Sequence, residues 1–135
     1  MRQLLLRASR TVNRQVVEGL HAHGYTGLRS THTALLSNMP LAGGTVTETA
    51  ERAGMTKQAM GRLAAELENG GYIRVTGDPA DRRAKRLELT KIGKRLMLDS
   101  LDVMAQLERR YAELIGQDRL QAVLDGLRAF NEAAD

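Results

Sequence analysis

Residues 45–90, TVTETAERAGMTKQAMGRLAAELENGGYIRVTGDPADRRAKRLELT, hold two short helical patterns parted by a glycine, then two strand patterns parted by an arginine-tipped turn. Few folds accommodate that order in so short a stretch. Thr45-x-x-Glu48 has the form of a capping box, in which each side chain satisfies an orphan backbone N–H at a helix start. The helix it opens ends at Ala53, and Gly54 suits the left-handed position just past the end. Thr56 can cap a second helix running to about Asn69, whose apolar positions Met60, Leu63, Ala64 and Leu67 share one face. Asn69-Gly70-Gly71 stops it. Residues 72–76 and 86–90 alternate like strands, and Gly77-Asp78-Pro79 opens the turn between them.

On both sides of that stretch the periodicity is helical. Leu5, Ala8, Val12, Val16 and Leu20 predict an amphipathic helix over 3–22, broken by 23–27. Residues 28–38 predict a shorter helix with Ala34, Leu35 and Leu36 as its apolar element. It stops at Asn38-Met39-Pro40, because the residue before a proline disfavours helical backbone. Residues 41–44 read as loop. A long helix follows from Lys91 to about Ile115 with two apolar sets: Met97, Leu101, Met104, Tyr111 and Ile115, and Leu96, Val103, Leu107 and Leu114. A stripe that wide predicts burial against the chain's own domain and against something else. Gly116 breaks the helix, and a last one over about 118–134 carries Leu120, Val123, Leu124, Leu127 and Phe130. The terminal helices can fold back as the chain's own core or form a dimer interface, and the second is the preferred reading.

The expected fold class is mainly α with a small β-hairpin wing: a winged helix-turn-helix over 28–90, flanked by helical parts at 1–27 and 91–135 that serve dimerisation. At 135 residues the chain makes a single domain able to bury a real core. It has no 18-residue apolar run, and MRQLLLRASR is too short for a signal-peptide core. No membrane span and a cytoplasmic location are expected. Without cysteine, disulfides, thiolate chemistry and Cys-type zinc sites are excluded.

Charge is unevenly placed. The net +4 divides into +2 over 1–51, +3 over 52–62, −2 over 63–73, +5 over 74–95 and −4 over 96–135. Positive charge therefore gathers on the second helix and the hairpin, the footprint of a polyanion-binding face. Opposite its apolar face, the second helix carries Thr56, Lys57, Gln58, Gly61 and Arg62, which suit phosphates and base edges in a major groove. Gly61 costs helix stability by ~1 kcal/mol relative to Ala, for which close approach to DNA gives a reason. An ordinary surface helix is the competing reading of this segment. On the hairpin, Asp81, Arg82, Arg83 and Lys85 form the tip, and an arginine there can enter a narrow minor groove. Asp81 can accept from the arginine two residues on and fix its direction. Arg74, Arg86 and Lys91 are expected to anchor phosphates.

Other candidates are weaker. His21, His23 and His32 lack a carboxylate cluster at ligand spacing and read as loop and surface histidines rather than metal ligands. Ser30 and His32 have no strand–turn–helix around the serine, so no hydrolytic triad is expected and the chain is read as no enzyme. Met55, Met60, Met97 and Met104 sit at apolar helical positions as gap-fillers. No cofactor is expected.

The Asp81-x-Arg83 turn, Thr45-x-x-Glu48, Leu63-x-x-x-Leu67, Gly71-Tyr72-Ile73 and Leu87-x-Leu89-Thr90-x-x-Gly93 together resemble the MarR family of bacterial transcription regulators. The resemblance covers nearly the whole chain and is most specific in the wing. It implies a homodimer on a pseudo-palindromic operator of double-stranded DNA, usually repressing and often released by a small-molecule effector lodged between the dimer helices and the DNA-binding lobe. By the same match Arg83 resembles the minor-groove arginine of the wing, oriented by Asp81. Two positions depart from the family's pattern: Thr49 stands where leucine is usual, trimming the first helix's core, and Gly61 stands where a hydroxyl residue is common. Competing readings are a winged-helix protein-interaction module and an architectural DNA-binding protein without a preferred site.

Overall fold

The computed structural model describes every residue except Asp78, Arg82 and Asp135. In order it comprises α1 (Arg2–Ala22), a 3-10 turn (Ser30–His32), α2 (Thr33–Leu36), β1 (Gly44–Thr45), α3 (Val46–Ala53), α4 (Lys57–Asn69), β2 (Ile73–Gly77), β3 (Lys85–Leu89), α5 (Lys91–Ile115) and α6 (Gln117–Glu132). The chain divides into two compact units, Met1–Ser100 and the part from Leu101 onward, with α5 running through the boundary.

Local chemistry sets the central helices. Glu48 N–H donates to Thr45 Oγ1 at 3.1 Å and Thr45 N–H donates to Glu48 Oε2 at 3.2 Å, closing the expected capping box. Such a cap contributes about 1 kcal/mol. Gly54 ends α3 with φ 64, a left-handed geometry that a side chain would resist. Thr56 Oγ1 then accepts the Ala59 N–H at 3.1 Å and starts α4. The face of α4 that carries Met60, Leu63, Ala64 and Leu67 is buried, as its spacing predicts.

The helix expected over 28–38 is corrected: it divides into the 3-10 turn and a single turn of α2. Arg29 is extended (φ −122, ψ 161), and its N–H goes to His32 Nδ1 at 3.0 Å instead of continuing a helix. At the far end Asn38 Nδ2 donates to the Ala34 carbonyl at 2.8 Å, just ahead of Pro40. A second correction is β1, which lies partly in the expected loop. Gly44 and Thr45 pair with Leu87 and Arg86, giving an antiparallel sheet of order β1-β3-β2. Two residues are too few to show an alternation in sequence.

Both hairpin strands sit one residue from their expected positions. At the base of the hairpin the Thr90 N–H donates to the Tyr72 carbonyl at 3.0 Å, and its hydroxyl hydrogen is shared between the carbonyls of Gly71 (2.6 Å) and Tyr72 (3.1 Å). The same hydroxyl oxygen accepts the Gly93 N–H at 3.0 Å and so caps α5. Gly93 has no alternative there, since a Cβ would come within 1.9 Å of the Tyr72 carbonyl oxygen.

The core of the first unit is built from Leu28, Leu35, Met60, Leu67, Ile73 and Leu87, all essentially inaccessible. Thr49 is inside it, and its hydroxyl donates to the Thr45 carbonyl at 2.9 Å, so the polar group that replaces a leucine is satisfied. On α1 the buried positions are Val17 and Leu20, whereas Leu5, on the predicted face, is exposed along with Leu4 and Leu6. On α5 the set Leu96, Val103 and Leu107 is buried, while Leu101 and Leu114 are 66% and 77% exposed. On α6 Leu120 is buried and Val123, Leu127 and Phe130 are exposed.

Candidate nucleic-acid interface

The pleat of the hairpin sorts the basic residues onto two faces. In register, Val75 pairs with Leu87 and Gly77 with Lys85, while Arg74 pairs with Glu88 and Thr76 with Arg86. Since side chains alternate along a strand, Lys85 shares the face of Leu87 and Val75, and Arg74 and Arg86 share the other. Arg86 Nε lies 4.0 Å from Glu88 Oε1, an exposed pair of little energetic weight.

Between α4 and the wing runs an open groove of about 340 Å³. Lys57, Gln58 and Gly61 line it from α4, and Arg83 and Lys85 line it from the wing. The rest of its lining is Val46, Ala64, Ala65 and Val75, with Glu68 as the one acid. Five of the residues singled out by sequence therefore meet at one place. Arg62 is exposed on α4 but is not among the lining residues, Thr56 serves as the helix cap, and Lys91 is exposed at the first position of α5. Arg74 and Arg86 stand on the opposite sheet face from Lys85. Arg82 lies outside the described residues, as does Asp78 of the expected turn.

Asp81 accepts from the arginine two residues on, through that residue's backbone amide. Its Oδ1 accepts the backbone N–H of Arg83 at 2.9 Å, and its carbonyl accepts the Ala84 N–H at 3.0 Å. The carboxylate thus shapes the backbone that carries Arg83. A Cβ at Gly61 would meet nothing within 4 Å, so the protein's own packing does not require a glycine there.

The acids of α4 are both engaged. Glu66 accepts from the Arg29 guanidinium and from His32 Nε2, the latter at 2.7 Å, and Glu68 Oε2 accepts the Val75 N–H at 2.5 Å. The hydrogen bond from His32, followed by that from Arg29, holds the Glu66 carboxyl below the usual carboxylate range. His32 is 4% exposed with both ring nitrogens occupied, by Arg29 N–H and Glu66, which leaves neither for Ser30. His21 Nε2 is hydrogen-bonded to the Leu28 carbonyl at 2.6 Å and His23 Nδ1 to the Gly19 carbonyl at 2.9 Å. Among the described residues no group of three His, Asp or Glu is placed to hold a metal, and no helix is long and apolar enough to cross a membrane.

Sequence reasoning missed the partners of Glu66, which lie 34 and 37 residues away. It flagged Thr90-x-x-Gly93 as a pattern without its chemistry, although a threonine three residues before a helical amide is itself a capping signal.

A glycine-parted helix pair, a basic groove beside the second helix and a hairpin wing define a winged helix-turn-helix protein. A model of the MarR family matches residues 26–84, which include both helices and most of the wing. That match spans a little under half of the chain, and over it the chain is similar to MarR-family winged-helix transcriptional regulators. Similar solved structures include MarR itself (24% identity, TM-score 0.84, 98% of this chain and 96% of that one). A MarR-family transcriptional regulator from Rhodococcus sp. RHA1 has 28% identity and TM-score 0.76 over 94% of this chain and 89% of its own. CouR from Rhodococcus jostii RHA1, bound to p-coumaroyl-CoA, has 29% identity and TM-score 0.70 over 94% of this chain and 88% of its own. Among curated proteins none matches the chain by sequence.

Proposed function

We propose that this protein is a MarR-type regulator, a cytoplasmic homodimer that recognises a pseudo-palindromic operator in duplex DNA and represses transcription, without catalytic activity. The observation that carries the reading is the single groove shared by Lys57, Gln58, Gly61, Arg83 and Lys85. Helix α4 enters the major groove, with Thr56, Lys57, Gln58 and Arg62 directed to phosphates and base edges, and Arg83 reaches the flanking minor groove. Arg74, Arg86 and Lys91 anchor the backbone, and the placement of Arg74 and Arg86 on the other sheet face from Lys85 implies that the hairpin touches two phosphate tracks.

Residues 28–90 form the reading lobe, and 1–27 with 91–135 form the dimerisation part. Exposed leucines at 4, 5 and 6 on α1 and exposed Val123, Leu127 and Phe130 on α6 support this, because apolar surface of that extent is normally covered by a partner. Two reading helices then sit about 34 Å apart, so half-sites are spaced by about 10 bp. A small-molecule effector releases the DNA. The relative CouR binds p-coumaroyl-CoA, which makes aromatic acyl thioesters the first class to screen.

Selecting bound fragments from sheared genomic DNA tests the reading, with affinity then followed by fluorescence titration at fixed salt. A shared inverted repeat among the selected fragments is expected, with Arg83→Ala weakening binding to it. Equal binding to every fragment points instead to an architectural protein. No binding at low salt points to a protein-interaction module.

A further inference from the structure

Apolar packing holds the buried face of α4 but has no preferred direction, so by itself it leaves the roll of the helix loosely set. Hydrogen bonds are directional. On one side of α4 the bond is from Val75 N–H to Glu68 (2.5 Å); on the other it is from His32 to Glu66 (2.7 Å). The second is the better defined, because the imidazole is buried and each of its nitrogens has one role. Nδ1 accepts the Arg29 N–H at 3.0 Å, so Nε2 carries the hydrogen given to Glu66. The ring is a rigid spacer between the backbone before α2 and the C-terminal half of α4. The exposed Arg29 guanidinium adds charge to the pair but little direction.

We propose that His32, acting through Glu66, is a positioning residue for DNA recognition: it fixes the roll at which α4 presents Gln58 and Arg62 to the bases, without touching DNA. The proposal rests on the reading of α4 as the DNA-reading helix. Base-edge contacts tolerate displacements of only about 0.5 Å, whereas long basic side chains follow a phosphate that shifts further. Removing the spacer therefore erodes discrimination between sequences before it erodes attraction to DNA.

The test uses the full chain and two probes, the selected operator duplex and a random duplex of equal length, titrated across a salt series well below each variant's melting temperature. His32→Leu fills the site without hydrogen bonds, His32→Gln keeps one acceptor and one donor, and Glu66→Ala alters an exposed side chain and so keeps the fold. His32→Leu and Glu66→Ala are each expected to lower the operator-to-random ratio about tenfold, the equivalent of one base contact. Random-duplex affinity should stay within about twofold, with its salt slope unchanged, since no phosphate contact is lost. His32→Gln is expected to recover most of the ratio. An unchanged ratio in Glu66→Ala overturns the proposal, as does a His32→Gln protein no more selective than His32→Leu. Wild-type protein that binds neither duplex overturns the reading of α4 itself, and the proposal with it.

Discussion

Tyr25 donates its phenolic hydrogen to Asp99 Oδ2 across 2.6 Å, joining the loop after α1 to the third turn of α5. The tyrosine is buried, and its ring meets that of Tyr72 edge-on at 6.1 Å. Burial first, then the bond to Asp99 and its negative charge, push the hydroxyl up to about 12. Because the folded value lies above the ordinary 10.0, the interaction's contribution is complete below pH 10.0 and is lost as pH rises through about 12. An ultraviolet titration should show a step near pH 12 that Tyr25→Phe removes. A titration that Tyr25→Phe leaves unchanged there would contradict the geometry. At neutral pH, Tyr25→Phe should cost about 2 kcal/mol in denaturant unfolding, the usual size for a bond to a charged group.

Gly93→Ala should be among the most damaging single-methyl changes in the chain. Its Cβ would lie 1.9 Å from backbone, where no side chain can swing aside. A loss of roughly 3 kcal/mol or more is expected by chemical denaturation. A change below about 1 kcal/mol would show that the contact relaxes freely.

Gly61→Ala should act with opposite signs on folding and on DNA binding. With open space around the added methyl, the helix gains about 1 kcal/mol and the melting temperature rises. If the backbone of α4 approaches DNA at that point, operator affinity falls in the same protein. A stabilised variant with unaltered affinity would put the DNA elsewhere.

Glu66→Gln should lower thermal stability at neutral pH and make little difference in acid. The folded carboxyl is held below the ordinary range, so its contribution is present above that range and is lost as pH falls through the lower folded value. Melting curves of the two proteins between neutral pH and about pH 3 should therefore converge. A gap that stays constant across the range would assign the loss to something other than ionisation.

What could be read from sequence follows the range of the interactions. The starts of α3 and α4 were legible because Thr45, Glu48, Thr56 and Gly54 act within three or four residues. The interruption of the helix over 28–38 was not, because an ordinary apolar triplet at 34–36 gives no sign that the His32 ring claims the Arg29 amide. β1 was invisible because its pairing with Leu87 and Arg86 is set across the fold. For the site, composition and turn chemistry found Lys57, Gln58, Gly61, Arg83 and Lys85. The opposite facing of Arg86 and Lys85 follows from strand alternation, whereas the pairing that puts Arg74 on the face of Arg86 is set across the hairpin.

The close approach of Gly93 to Tyr72 has a mechanical side. A contact made by side chains can absorb a displacement by a change of rotamer, but a contact of backbone on backbone has no such slack. Thr90 bonds to both flanking segments, so the first turn of α5 and the start of β2 form one stiff joint. The first turn of α5 is thereby tied directly to the base of the hairpin that carries Arg83.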